Sequence, residues 1–143
     1  MRKLFASLAI FSVTFVGGFL LSPTEAEAMN LEVNNPIGKP LMVSVVHFSE
    51  PENSWVVQGW WRVESNSFKT IKFPNHARSK IWVHMHNSDR SWGSQRAWTV
   101  IGEKFRYRVG GSNPGCPSGS NRRQVAFNGY DIGQTGVVRL STR

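Results

Sequence analysis

Past residue 28, apolar side chains recur at every second position in short runs, and no long stretch carries helical spacing. Residues two apart share one side of a pleated backbone, so such runs fold as strands with one face turned to a core. Val-rich Leu41 to Phe48, bracketed by Gly38, Pro40 and Pro51, is one of them. Trp55 to Val63, Phe68 to Phe73, Ile81 to His86, Trp98 to Ile101, Phe105 to Val109, Val125 to Phe127 and Val137 to Leu140 follow. Met29 to Asn35 is a short lead-in that reads as an edge strand. Gly110 to Ser120, rich in Gly, Ser, Pro and Asn, is the longest loop. Many short strands at regular spacing predict an all-β domain, a small antiparallel β-sandwich or a barrel-like fold. With no internal repeat and no second pattern, residues 29–143 read as one domain.

Trp55 to Arg62 carries three of the six tryptophans in an alternating run. Indoles supply large apolar area, which makes this strand a core anchor. A regular strand puts Trp55, Val57, Gly59, Trp61 and Val63 on one face and Gln58, Trp60 and Arg62 on the other. Between the adjacent Trp60 and Trp61, the polar company of Trp60 nominates it for exposure.

Residues 1–28 have the layout of a secretory signal peptide. Arg2 and Lys3 precede the apolar Leu4 to Leu21, and Ala26-Glu27-Ala28 offers small residues at the positions a signal peptidase reads. The alternative is a retained anchor, which Gly17, Gly18 and Pro23 count against. Export is thus the expected localisation, with no transmembrane segment after cleavage. Arg2 and Lys3 balance Glu25 and Glu27, so the net charge of +8 belongs to residues 29–143. On an exported chain that charge favours anionic envelope polymers, acidic glycans or lipid headgroups, and makes nucleic acid a poor partner. Cys116 is the only cysteine. An intrachain disulfide is excluded, and the thiol is either buried and inert or a handle for another thiol.

The Trp55 and Gly59-Trp60-Trp61 pattern resembles the DUF1036 family of small bacterial proteins. The likeness continues through Asn34-Asn35, Ile81-Trp82-Val83, Trp92-Gly93 and Gly129-Tyr130-Asp131, over roughly residues 30–140. It implies export and a compact fold but no activity, since none is assigned to the family. Where such proteins often carry a Pro-Gly turn and a Cys after Gly-Trp-Trp, this chain has Ser65-Asn66-Ser67-Phe68. A disulfide used there by the family is absent, which leaves Cys116 as its orphan.

Three side-chain groups carry potential chemistry. His84 and His86 project from one face of their strand with Trp82, while Ile81, Val83 and Met85 face inward. That pair supplies at most half of a metal site, with His47 or His76 as a third ligand, and nothing else has telling ligand spacing. A polar, partly aromatic outer sheet face is the competing reading, and no cofactor is implied. Among the carboxylates, Glu50 and Glu52 flank Pro51 and resemble the paired acids of a glycosidase only loosely. No nucleophile elbow or Cys–His signature is present. Basic residues form the third group. Lys104, Arg106 and Arg108 alternate with Phe105, Tyr107 and Val109, while Arg90 and Arg96 flank Trp92. Guanidinium forks match carboxylate or sulfate and indoles stack on sugar rings, although strand edges also use cations to deter pairing. The expected function is a non-catalytic binding module for an anionic envelope polysaccharide or other polyanion. The expected site is Trp60, Trp92, Arg96, Lys104, Arg106 and Arg108. The alternative is a wall- or glycan-acting hydrolase, metal-assisted through His84 and His86.

Overall fold

The computed structural model describes residues 28–76, 78–110 and 119–142. The signal-like segment before Ala28, Cys116 and most of the Gly110 to Ser120 loop lie outside the described residues. The described chain is all-β. Its strands are β1 (Met29–Asn35), β2 (Leu41–Ser49), β3 (Ser54–Val63), β4 (Ser67–Phe73), β5 (Lys80–His86), β6 (Ser91–Trp92), β7 (Arg96–Val100), β8 (Phe105–Val109), β9 (Arg123–Asp131) and β10 (Val137–Ser141). No described helix is long and apolar enough to cross a membrane.

Two sheets build the fold. One has the order β10-β1-β4, and the other runs β7-β9-β5-β2-β3-β8 with the short β6 also paired to β5. All pairings are antiparallel except β1 with β10, which is parallel. The lead-in strand β1 is therefore the centre of its sheet and not an edge. Its alternation explains the place it takes: Met29, Leu31, Val33 and Asn35 are buried, while the residues between them stay partly exposed or exposed.

The larger sheet curls into a half-barrel. β7 and β8 end its strand order, yet Tyr107 Oη donates to the Thr99 carbonyl at 2.8 Å. Trp60 Nε1 donates to the Ile101 carbonyl, also at 2.8 Å. The first bond ties the two edge strands together, and the second ties β3 to the chain just past β7. A second core of Val46, Val57, Trp98, Val100, Ile101, Phe105 and Phe127 fills the curl. The outer face of the same sheet packs on the three-stranded one through Leu31, Val33, Val43, Val45, Val63, Phe73, Ile81 and Val83. β2 and β5 thus bury both faces, and at about 25 cal/mol per Å² of apolar area these two cores are the main stabilising force.

A β-bulge in β3 changes which residues share a face. Val43 pairs with Trp61 and Ser44 with Gly59, so Trp60 is an extra residue. Before the bulge, Val57 faces the barrel core; after it, Trp61 and Val63 face the other core. The single face expected for Trp55 to Val63 is split in two, although Trp60 and Trp61 do point to opposite sides. Gly59 sits where a Cβ would come 3.1 Å from both the Phe105 ring and Ser44, so a larger residue there would require those neighbours to shift by a few tenths of an ångström.

Candidate functional site

The aromatics and cations named from the sequence fall in different surroundings, some inside the curl and some outside it. Trp60 is half-buried inside the barrel rather than exposed. Its ring stands edge-on to His86 at 4.8 Å, to Phe105 at 5.7 Å and to His84 at 6.0 Å. Trp92 lies on the opposite side of the sheet, half-buried against the sandwich core, with the Arg90 guanidinium 4.9 Å above its ring. Arg106 and Arg108 are exposed on the outer face of β8, while Phe105, Tyr107 and Val109 turn inward, as the alternation predicts. Lys104 is exposed just before that strand. Arg106 forks onto Glu52, whose carboxyl that bond holds down to about 2. Trp60, Trp92 and the β8 cations therefore occupy three separate surroundings and form no common patch.

Arg96 is the member of the expected set that meets indoles. It lies 5.0 Å over Trp98, and Lys80 lies 5.7 Å over Trp82. Trp82 and Trp98 are 5.4 Å apart at a tilt of 59°. With Trp55 and Val109 they line a cleft of about 220 Å³ at one mouth of the half-barrel. Three strands of different sequence position converge here: β3 brings Trp55, β5 brings Trp82 and Lys80, and β7 brings Trp98 and Arg96. Gly129 on β9 makes the close approach feasible, since a Cβ there would come 3.0 Å from the Trp82 ring. Sequence reasoning missed this group because its indoles are far apart in the chain. The signal available was parity alone: Trp82 shares the face of His84 and His86.

That face is not the solvated one expected. His84 is buried and His86 half-buried beneath the curl. β5 pairs with β9 from Lys80 to Val83 and with β6 at Met85 and His86. Between them, His84 Nδ1 lies 2.7 Å from the Ala126 carbonyl. A carbonyl only accepts, so Nδ1 carries the proton and the ring bridges the gap where β9 leaves β5. Burial pushes His84 below its usual range, and burial followed by the charges of His84 and Arg123 takes His86 to about 4. Both rings are neutral at pH 7. They border a polar recess of about 510 Å³ that also includes Arg90 and Arg123. Among the described residues, no group of three or more His, Cys, Asp or Glu is placed to hold a metal ion.

No protein-family model, no curated protein and no solved structure matches the chain.

Proposed function

We propose that this chain is an exported, non-catalytic binding module whose ligand is an acidic saccharide, held in the cleft of Trp55, Trp82 and Trp98 beneath Lys80 and Arg96. The carrying observation is three converging indoles, Trp55 and Trp82 half-buried and Trp98 buried, with Lys80 resting on the Trp82 ring and Arg96 on the Trp98 ring. A sugar ring presents C–H groups to an indole face, and its carboxylate or sulfate takes the guanidinium or ammonium as a charge-assisted partner. At about 220 Å³ the cleft is smaller than the roughly 300–1,000 Å³ of pockets that enclose a whole small molecule. One ring enters and the rest of a polymer lies along the basic surface. The resemblance to the DUF1036 family, carried by the residues quoted above, is part of this reading, as is export.

The hydrolase reading has less support. Glu52 is committed to Arg106 and stays ionised, which unsuits it to donate a proton. His84 Nδ1 is engaged by a main-chain carbonyl. Tryptophan fluorescence titrated with oligogalacturonate and with a neutral oligosaccharide tests the proposal. The acidic oligomer should perturb the emission with a salt-dependent affinity, and the combined Lys80→Gln and Arg96→Gln variant should lose at least tenfold in affinity. Equal response to the neutral oligomer would overturn it. So would loss of binding in Arg106→Gln/Arg108→Gln with Lys80→Gln/Arg96→Gln unaffected, since that assigns the anion to the outer face of β8.

A further inference from the structure

The sandwich side of the fold holds a second pair of histidines that the saccharide cleft does not involve. His47 on β2 is 8% exposed and His76, which bridges to Ser49 after β4, is 2% exposed. Their ring centroids are 6.3 Å apart. Gln58 and the main chain at Phe48 and Arg78 approach these rings, yet among the described residues none of the four ring nitrogens has a partner in hydrogen-bond geometry. Buried polar atoms are nearly always partnered, so each ring has a nitrogen open to a ligand that the described residues do not supply.

We infer that His47 and His76 form a buried two-coordinate site for a soft monovalent cation, Cu(I) or its analogue Ag(I). The centroid spacing is compatible with a linear geometry. A metal about 2.0 Å from a ring nitrogen lies roughly 3.1 Å from the ring centroid, so two imidazoles on opposite sides of one ion stand about 6.2 Å apart. Tetrahedral ligands of one ion would stand at about 5 Å by the same arithmetic. Ligand number selects the ion. No third His, Cys, Asp or Glu joins the pair among the described residues, and Zn(II) wants four ligands. Met29, 1% exposed, and His76 both line a cleft of about 190 Å³ together with Arg78 and Thr135. That cleft is a route in, and a thioether on its wall suits Cu(I) more than harder ions.

Anaerobic titration with Cu(I) against the chromophoric chelator bathocuproine disulfonate tests this, using the whole protein and a Cys116→Ser variant that removes the thiol. One equivalent of Cu(I) should be withheld from the chelator in both forms, and Zn(II) should not compete for it. X-ray absorption should give two nitrogen neighbours. His76→Phe should weaken retention at least a hundredfold, and so should His47→Phe. Ag(I) should shift the His47 and His76 ring resonances and spare those of His84, a readout that needs no variant to fold. Retention lost in Cys116→Ser, unchanged in both His variants, or lost instead in His84→Gln would overturn the assignment.

Discussion

Replacing Asn35 tests how the two sheets are locked together. Asn35 ends β1 with 0% exposure. The two hydrogens on its Nδ2 are divided among the carbonyls of Lys39 at 2.9 Å, Glu64 at 3.0 Å and Val63 at 3.3 Å, one of them shared. Oδ1 accepts from the Ile37 amide at 3.3 Å and from Thr142 Oγ1 at 3.5 Å. One side chain thus joins β1 to the end of β3 in the other sheet and to the chain beyond β10. Asn35→Ala orphans the Val63 carbonyl in a dry site, at about 1–3 kcal/mol, and strips the other groups of partners that water only partly replaces. We expect a total loss of about 3–4 kcal/mol, a large share of the roughly 5–15 kcal/mol that holds a domain. Asn35→Asp is the sharper test. It keeps the shape but aims a carboxylate at three carbonyl oxygens, so it should cost more than Ala at pH 7. It should recover relative to wild type as acid protonates the new side chain and restores a donor. Urea unfolding followed by tryptophan fluorescence at pH 7 and pH 5 reads both effects. An Ala variant within about 1 kcal/mol of wild type, or an Asp variant as stable as wild type at neutral pH, would refute the reasoning.

Two further predictions concern stability. Burial, aided by the charges of His76 and Arg106, depresses His47 to about 4 from an ordinary 6.5. A depressed histidine carries no penalty above pH 6.5, and its stability is lost as pH falls toward 4, on the order of 3 kcal/mol in all. Denaturation of wild type and His47→Phe across that range, with chelator present, should show wild type losing about that much more stability than the variant as pH falls; parallel profiles would refute it. Glycines 93 and 110 form a contrasting pair. A Cβ at Gly93 would overlap the main chain at Ala126, which His84 also holds, whereas one at Gly110 meets nothing within 4 Å among the described residues. Gly93→Ala should cost about 3 kcal/mol or more. Gly110→Ala, at φ +80°, should cost only about 1–2 kcal/mol of left-handed strain, with thermal unfolding as the measurement.

Strand positions were legible because local alternation and turn residues specify them. The runs read at Leu41 to Phe48 and Ile81 to His86 correspond to β2 and β5 nearly residue for residue. β9 was read short because Gly129 interrupts its apolar pattern, and the two-residue β6 is too brief to leave one. The inward turn of Phe105, Tyr107 and Val109 was equally readable. The candidate site was not. Arg96 was named for its neighbour Trp92, and its actual indole partner is Trp98, two residues along its own strand. Trp60 was nominated for exposure by the polarity of Gln58 and Arg62, but the bulge beside it and the curl above it place it within the barrel.

Residue order alone determined that this chain is built of strands, where they lie, and which side chains alternate along each, because those properties depend on neighbours one and two positions away. Only the tertiary structure decided that both faces of β2 and β5 are covered, that the indoles of β3, β5 and β7 converge, and that His47 meets His76. Those outcomes depend on strand order, on one extra residue in β3 and on a sheet that curls until its edges touch. Pairing across long sequence separations sets all three.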